Sequence, residues 1–403
     1  MFDDVLMTNP VGFFLSPGDM LAATGVGLRN FVYFCRKCKQ MSKVISDECI
    51  QRVNQGNCFG FIRYVLAIDV IVGHFYTLLN PDIGFWHYNG YRFPEAGFFV
   101  LSGFLVFLSY HLSPNLKVYF GKRARRLVPA YVAVVLLCVA LGALITTLST
   151  GEFFGSAHFW RYFFANITLM NFIEPTMPGV FDGNLVAAVN GSLWTIKAEV
   201  LLYFTVPVIY VLAQRFGKTR VIVTVFALLA VAFTSCVYVY ETTGNEAINM
   251  LAHKVLLPFG YFYAGTAILL YLEKFLRNVW WLLAVAVVLF MLRSTSAVLL
   301  ELAPFSLAVI IGAVGMKCRW LNRLGRHNNI TFGMYLYHFP VIQVVGMCGL
   351  QHVSLALSMV VVFAVTIAIS LLSWFLLEKP IIEHKRLFEP LLRAAVVKKT
   401  SKK

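Results

Sequence analysis

Ten apolar segments run along the chain, at about 61–80, 93–112, 127–148, 192–213, 221–240, 254–272, 278–292, 297–315, 330–350 and 354–377. An α-helix needs about 20 predominantly apolar residues to cross a bilayer. The pattern therefore predicts an all-α polytopic membrane bundle of about ten transmembrane helices. The seventh segment is short and predicts a tight hairpin with the eighth around RSTS, residues 293–296. More polar stretches divide the chain into a leader (1–60), a membrane domain (61–380) and a basic tail (381–403). The longest connection, 149–191, contains HFWRYFFANITLMNF at 158–172, an aromatic composition suited to the headgroup boundary. No internal repeat is visible.

Composition agrees with this pattern. Of the residues, 59% are hydrophobic and 13% charged, where a soluble domain carries about 25% charged residues. A net charge of +15 suggests nucleic acid at first sight, but its placement says otherwise. With the N-terminus inside, 29 of the 34 Lys and Arg fall on the inner side. Arg92, Arg161, Lys254 and Arg293 fall outside, and Lys197 lies within a helix. Cytoplasmic loops carry such an excess of Lys and Arg. Both termini are thus predicted to be cytoplasmic, with membrane lipids as partners and no nucleic acid. The N-terminal MFDDVLMTNP is acidic and makes a poor signal peptide. Cys35 and Cys38 form a C-x-x-C without a second Cys/His pair, so they are expected to be thiols near the inner surface.

Four stretches carry candidate chemistry. In FIRYVLAIDVIVGHFYTLLN (61–80), Arg63 and His74 share a helix face and lie roughly 16 Å apart. Ionisable groups at membrane depth are costly and functional or partnered; the plainer reading of His74 is a packed, hydrogen-bonded ring. Asp69 is turned about 140° from His74 and is expected to be a structural partner. Gly97, Ser102 and Gly103 of the second segment are small enough for close helix approach. Lys122, Arg123, Arg125 and Arg126 satisfy topology, or else cradle a phosphorylated ligand, since guanidinium forks suit phosphate oxygens. Arg123 and Arg126 share a face.

Thr195, Glu199 and Tyr203 fall on one face, with Glu199 expected about two turns in from the outer surface. Lys197 points away from Glu199, so Glu199 needs a partner on another helix. His338 reaches a depth similar to His74, and Pro340 loosens the helix after it. A metal site would want a third close ligand, and none is evident, so no metal is expected.

The pair Arg63 and His74, then FFVLSGF, KRARRLVPAY, SLWTIKAE, ITFGMYLYHFP and LEKP, stand in this order over residues 61–380. The chain thereby resembles the acyltransferase family 3 proteins, membrane O-acyltransferases that decorate bacterial surface glycans. The resemblance implies an acyl-CoA donor, acetyl-CoA by default, entering from the cytoplasm. It implies an acceptor hydroxyl on an extracytoplasmic glycan or lipid-linked glycan, such as O-antigen, capsule or exopolysaccharide. The expected location is the bacterial cytoplasmic (inner) membrane, with multiple passes.

By the same resemblance, His74 is the catalytic histidine and Arg63 its motif partner. Glu199 belongs to the site with Trp194, either orienting the imidazole or binding acceptor hydroxyls. Arg123 and Arg126, with Lys122 beside them, hold the donor, and Tyr203 and His338 line the site. Asp69, where an apolar residue is expected, and the long leader depart from the family pattern. His74 acts as a general base or forms a transient acyl-histidine. A proton-coupled transporter or flippase is the competing class, since it too needs intramembrane ionisable groups, but the paired broken helices common in transporters are not evident. Nothing in the pattern speaks to oligomeric state.

Overall fold

The computed structural model describes residues 44–80, 92–323 and 329–383. Cys35, Cys38, most of the leader and nearly all of the tail lie outside the described residues. Every predicted segment contains a helix. These are α1 (Phe59–Leu79), α2 (Arg92–Leu112), α3 (Leu116–Ile145), α4 (Trp194–Phe216), α5 (Lys218–Thr243), α6 (Leu257–Leu270), α7 (Val279–Met291), α8 (Ala297–Lys317), α9 (Thr331–Met347) and α10 (Leu355–Ser373).

Of the ten expected spans, seven are helices long and apolar enough, by length and composition, to cross a membrane among the described residues; α6, α7 and α9 are not among these seven. α6 has 14 residues and continues without a break from the π-helix Ala252–Leu256 before it. α9 has 17 residues and stops at a turn where Gly349 takes φ +67°, a left-handed conformation that glycine adopts readily. α7 has 13 residues and forms the predicted hairpin with α8.

Two boundaries also shift. α3 starts about eleven residues earlier than its apolar run, because the Asn115 side chain caps it by accepting from Val118 N–H at 3.1 Å. The basic run is therefore helical. The end of the leader folds as a helix, Asp47–Asn54, capped by Ser46, and Ser46 Oγ donates to Glu273 at 2.8 Å. Cys49, Val53 and Cys58 are buried with the core, so the bundle begins before residue 61. In the long connection, the helix Ala157–Ile167 leaves Trp160 and Phe164 exposed, as an interfacial helix would.

α2 is the central post. Of its apolar window 78% is buried, against 17–50% in the other six long helices. It packs on α1, α4, α6 and α8. Its contact with α6 is backbone to backbone. A Cβ added at Gly103 would stand 1.7 Å from the Phe262 carbonyl oxygen, and one at Gly265 would stand 2.0 Å from that of Val100. Thr266 Oγ1 donates to the Gly103 carbonyl at 3.0 Å and locks the pair.

Neither backbone can retreat without moving a helix. Gly103→Val or Gly265→Val is expected to cost more than the about 1–3 kcal/mol of ordinary overpacking, abolishing monodisperse protein in detergent. Gly151→Ala, with nothing within 4 Å of the added atom, serves as the control. Parent-like thermal unfolding of either valine variant would refute the close approach.

Candidate active site

Two chambers lie inside the bundle. The first occupies the half that holds the basic residues and has a cavity volume of about 130 Å³. It is lined by Arg63 of α1, Ser102 and Ser109 of α2, Arg123 and Arg126 of α3, and Thr195, Glu199 and Tyr203 of α4. The second, with a cavity volume of about 670 Å³, lies toward the other end and includes His74, Trp194, His253, Lys254, Tyr261, Arg293 and Phe339. Glu95 and Phe99 line both. They form the wall between the chambers.

In the first chamber the predicted face of α4 is realised. Glu199 accepts hydrogen bonds from Tyr203, one turn on, and from Ser102 at 3.1 Å. Arg123 donates to Ser109 Oγ at 3.3 Å and lies over the Tyr203 ring, 5.8 Å from its centroid. Arg126 sits between the rings of Phe332 and Trp374, with Nη1 4.0 Å from Glu378 Oε2. Glu378 is itself held by Ser373 Oγ at 3.0 Å. Arg123 Nε and Arg126 Nη1 are buried without a hydrogen-bond partner among the described residues. Buried polar groups are nearly always satisfied, so these two donors suit an anionic ligand.

Between α1 and α9 stands a pair of imidazoles. His338 Nε2 is 3.1 Å from His74 Nδ1. Each ring also turns its Nδ1 to the carbonyl one turn back, His74 to Val70 at 3.0 Å and His338 to Met334 at 3.1 Å. A nitrogen lone pair aimed at a carbonyl oxygen is repulsive, so each Nδ1 carries the hydrogen. His338 Nε2 is then an acceptor, and the Nδ1–H of His74 is shared between it and Val70. The lone pair of His74 is left on Nε2.

Several expectations change with this geometry. Glu199 lies in the arginine chamber, and His338 takes the position of orienting His74. Lys122 does not line either chamber. Asp69 lies on the outward side of α1, beside Val65 and Ile68 at 46% and 45% exposure, without a partner among the described residues. It is no structural partner there. Lys197 points away from Glu199, as expected, and packs on Phe172, 3.6 Å from the ring centroid.

Sequence reasoning missed Glu95, Ser109 and Glu378. A signal for the first two existed: Glu95, Phe99, Ser102 and Ser109 step along one face of α2 at helical spacing. Glu378 sits in LEKP, but nothing in that motif shows that its partner lies on α3.

Fold and site together define a polytopic membrane protein with a charged interior site. The chain belongs to acyltransferase family 3, whose acyltransferase domain matches residues 57–375, and is therefore a membrane acyltransferase. It is similar to nodulation protein 10 of Rhizobium leguminosarum bv. viciae, 27% identical over 362 residues, 80% of this chain and 92% of that one. It is also similar to an O-acetyl transferase of Shigella phage Sf6, 26% identical over 346 residues, 81% of this chain and 96% of that one. No solved structure matches.

The Arg126 and Glu378 pair is open to a double-mutant test. Their side chains are 15% and 1% exposed. Removing either partner strands the other, which costs about 3–5 kcal/mol, whereas replacing both with apolar residues is near neutral. Arg126→Met and Glu378→Leu should each lower the unfolding midpoint of purified protein, and the double variant should recover most of the loss. Simply additive losses would show that the two do not interact.

Proposed function

We propose that this chain is an integral O-acyltransferase of the bacterial cytoplasmic (inner) membrane. It moves an acyl group, acetyl by default, from cytoplasmic acyl-CoA to a hydroxyl of an extracytoplasmic glycan or lipid-linked glycan. The observation that carries this reading is the pair of chambers, one lined by three arginines and one by His74, meeting at Glu95 and Phe99.

Three guanidinium groups and two unsatisfied N–H donors suit the phosphates of a coenzyme A thioester. The loop charge bias puts this chamber toward the cytoplasm, where acyl-CoA is made. The relative from Shigella phage Sf6, an O-acetyl transferase by name, supports acetyl as the group and oxygen as its destination. Carrying only the acyl group past the wall leaves the charged carrier on its own side.

In the transfer, His74 Nε2 takes the proton of the acceptor hydroxyl as its oxygen attacks the thioester carbonyl. The new C–O bond forms, the C–S bond breaks, and the proton passes from the imidazolium to the departing thiolate. His338 Nε2 accepts from His74 Nδ1–H throughout, holding the ring and stabilising its transient positive charge. Glu199, held by Ser102, positions Tyr203, and Ser109 positions Arg123 around the donor; none of them acts on the proton.

General bases of this kind contribute about 10²–10⁴-fold. At matched membrane levels, His74→Ala should reduce acyl ester on host surface glycans by that factor, read by mass spectrometry, while acyl-CoA still binds. His338→Leu should lower kcat more than tenfold with KM for acyl-CoA unchanged. His338→Gln, whose side-chain oxygen can accept from His74, should restore much of it. Full ester formation by His74→Ala would overturn the mechanism, and acyl label trapped on His74 without acceptor would replace the base by an acyl-histidine.

A further inference from the structure

Among the described residues, the linings of the two chambers share only Glu95 and Phe99. The neighbouring residues of α2 divide around them. Phe93 and Ala96 line the second chamber alone, and Phe98 and Ser102 the first alone. A group travelling from the arginine chamber to His74 therefore passes the turn of α2 between residues 95 and 99. Glu95 gives that passage a polar edge. Phe99 gives it an apolar one, with its ring only 5% exposed.

A buried phenylalanine that only packs can often give way, but this one cannot step back with its helix. The next residue, Val100, sets its carbonyl against Gly265 of α6, and Gly103 abuts the Phe262 carbonyl. The first chamber is as firmly built on the near side of the wall. Phe98 meets the Tyr335 ring edge to face at 5.8 Å. The Tyr335 hydroxyl is 2.7 Å from Thr195 Oγ1 and donates to the Ser192 carbonyl at 3.2 Å. The far side is roomier, with about 670 Å³ against about 130 Å³. Space beside His74 thus admits a longer acyl chain, and the wall is what limits which chains arrive.

We infer that Phe99 fixes the length of the transferred acyl group, letting acetyl past the wall and stopping longer linear chains. The inference rests on the acyltransferase reading above and makes its default acetyl donor the consequence of one side chain. A single methylene read by an apolar site is worth about 10–200-fold in specificity. Butyryl-CoA, with two more methylenes than acetyl-CoA, should therefore trail it by at least about 100-fold.

Inside-out membrane vesicles of a host deletion strain, carrying the full-length parent or a variant, expose the donor side and hold the host's own glycans. They are given equimolar acetyl-CoA and butyryl-CoA, and the acetyl and butyryl esters formed on glycan are quantified by mass spectrometry. The ratio of the two esters is internal to each sample, so it does not depend on how much protein folds. Phe99→Leu should lower the acetyl preference about tenfold, and Phe99→Ala should lower it further. Phe107→Leu truncates another buried phenylalanine of α2, one that lines neither chamber, and should keep the parent ratio.

The leucine variant carries the test if the alanine variant folds poorly. An unchanged ratio in the Phe99 variants would overturn the inference, as would an equal shift in Phe107→Leu or a parent that transfers butyryl as readily as acetyl. Loss of both esters together in Phe99→Leu and Phe99→Ala would mark the ring as structural and overturn it too. No ester of either kind from the parent would sink the donor reading itself, and the inference with it.

Discussion

A guanidinium group in the interior of a membrane bundle costs several kcal/mol unless carboxylates, aromatic faces or water stay in contact with it. α1 and α3 bring three such groups to one place. The helices around them are arranged to meet that demand. α4 supplies Glu199 and the Tyr203 ring, α9 supplies Phe332, and the end of α10 supplies Trp374 and Glu378. The last of these requires a change of winding, for Trp374–Glu378 form a π-helix. Even so, the satisfaction is incomplete, for Arg123 Nε and Arg126 Nη1 keep no hydrogen-bond partner among the described residues.

Irregular winding recurs at the other end, where Ala252–Leu256 are also π-helical and carry Lys254 into the second chamber. One extra residue per turn rotates a side chain out of the apolar register without ending the helix. One π-turn thus brings Lys254 into the lining of the second chamber, and the other brings Glu378 to Arg126 beside the first. Between them stands α2, held so close to α6 by Gly103 and Gly265 that the wall cannot drift. Close packing of this kind keeps Glu95 and Phe99 in register with both chambers at once.

How much of this was legible from residues alone follows from the reach of helical spacing. Periodicity located all ten helical segments, put Arg123 with Arg126 and Thr195 with Glu199 and Tyr203, and set Asp69 apart from His74. It failed where the outcome depended on a second helix. That Glu199 meets Ser102 was not legible, because the sequence does not say how α4 packs against α2. Asp69 was assigned a partner because buried acids need one, yet its face of α1 turns outward. Lys122 was grouped with its neighbours by proximity along the chain, although only Arg123 and Arg126 line the chamber. The π-turns at Ala252–Leu256 and Trp374–Glu378 were not legible at all, because they do not show in hydropathy.

The partner of His74 illustrates how the apolar setting shapes the chemistry. Imidazole bases are commonly oriented by a carboxylate, but a lone carboxylate beside His74 would be a charge without compensation in a dry bundle. A second neutral imidazole accepts the same hydrogen bond at 3.1 Å and carries no charge of its own. Its orientation is fixed by the backbone of α9 through Met334, so it needs no further polar support. The formal charges gather instead in the arginine chamber, where anions can answer them. Keeping the proton-handling pair neutral and the charge-handling cluster apart lets one bundle hold both without stranding either. The histidines can then sit between two apolar helices, at a depth where an ion pair would be costly to maintain.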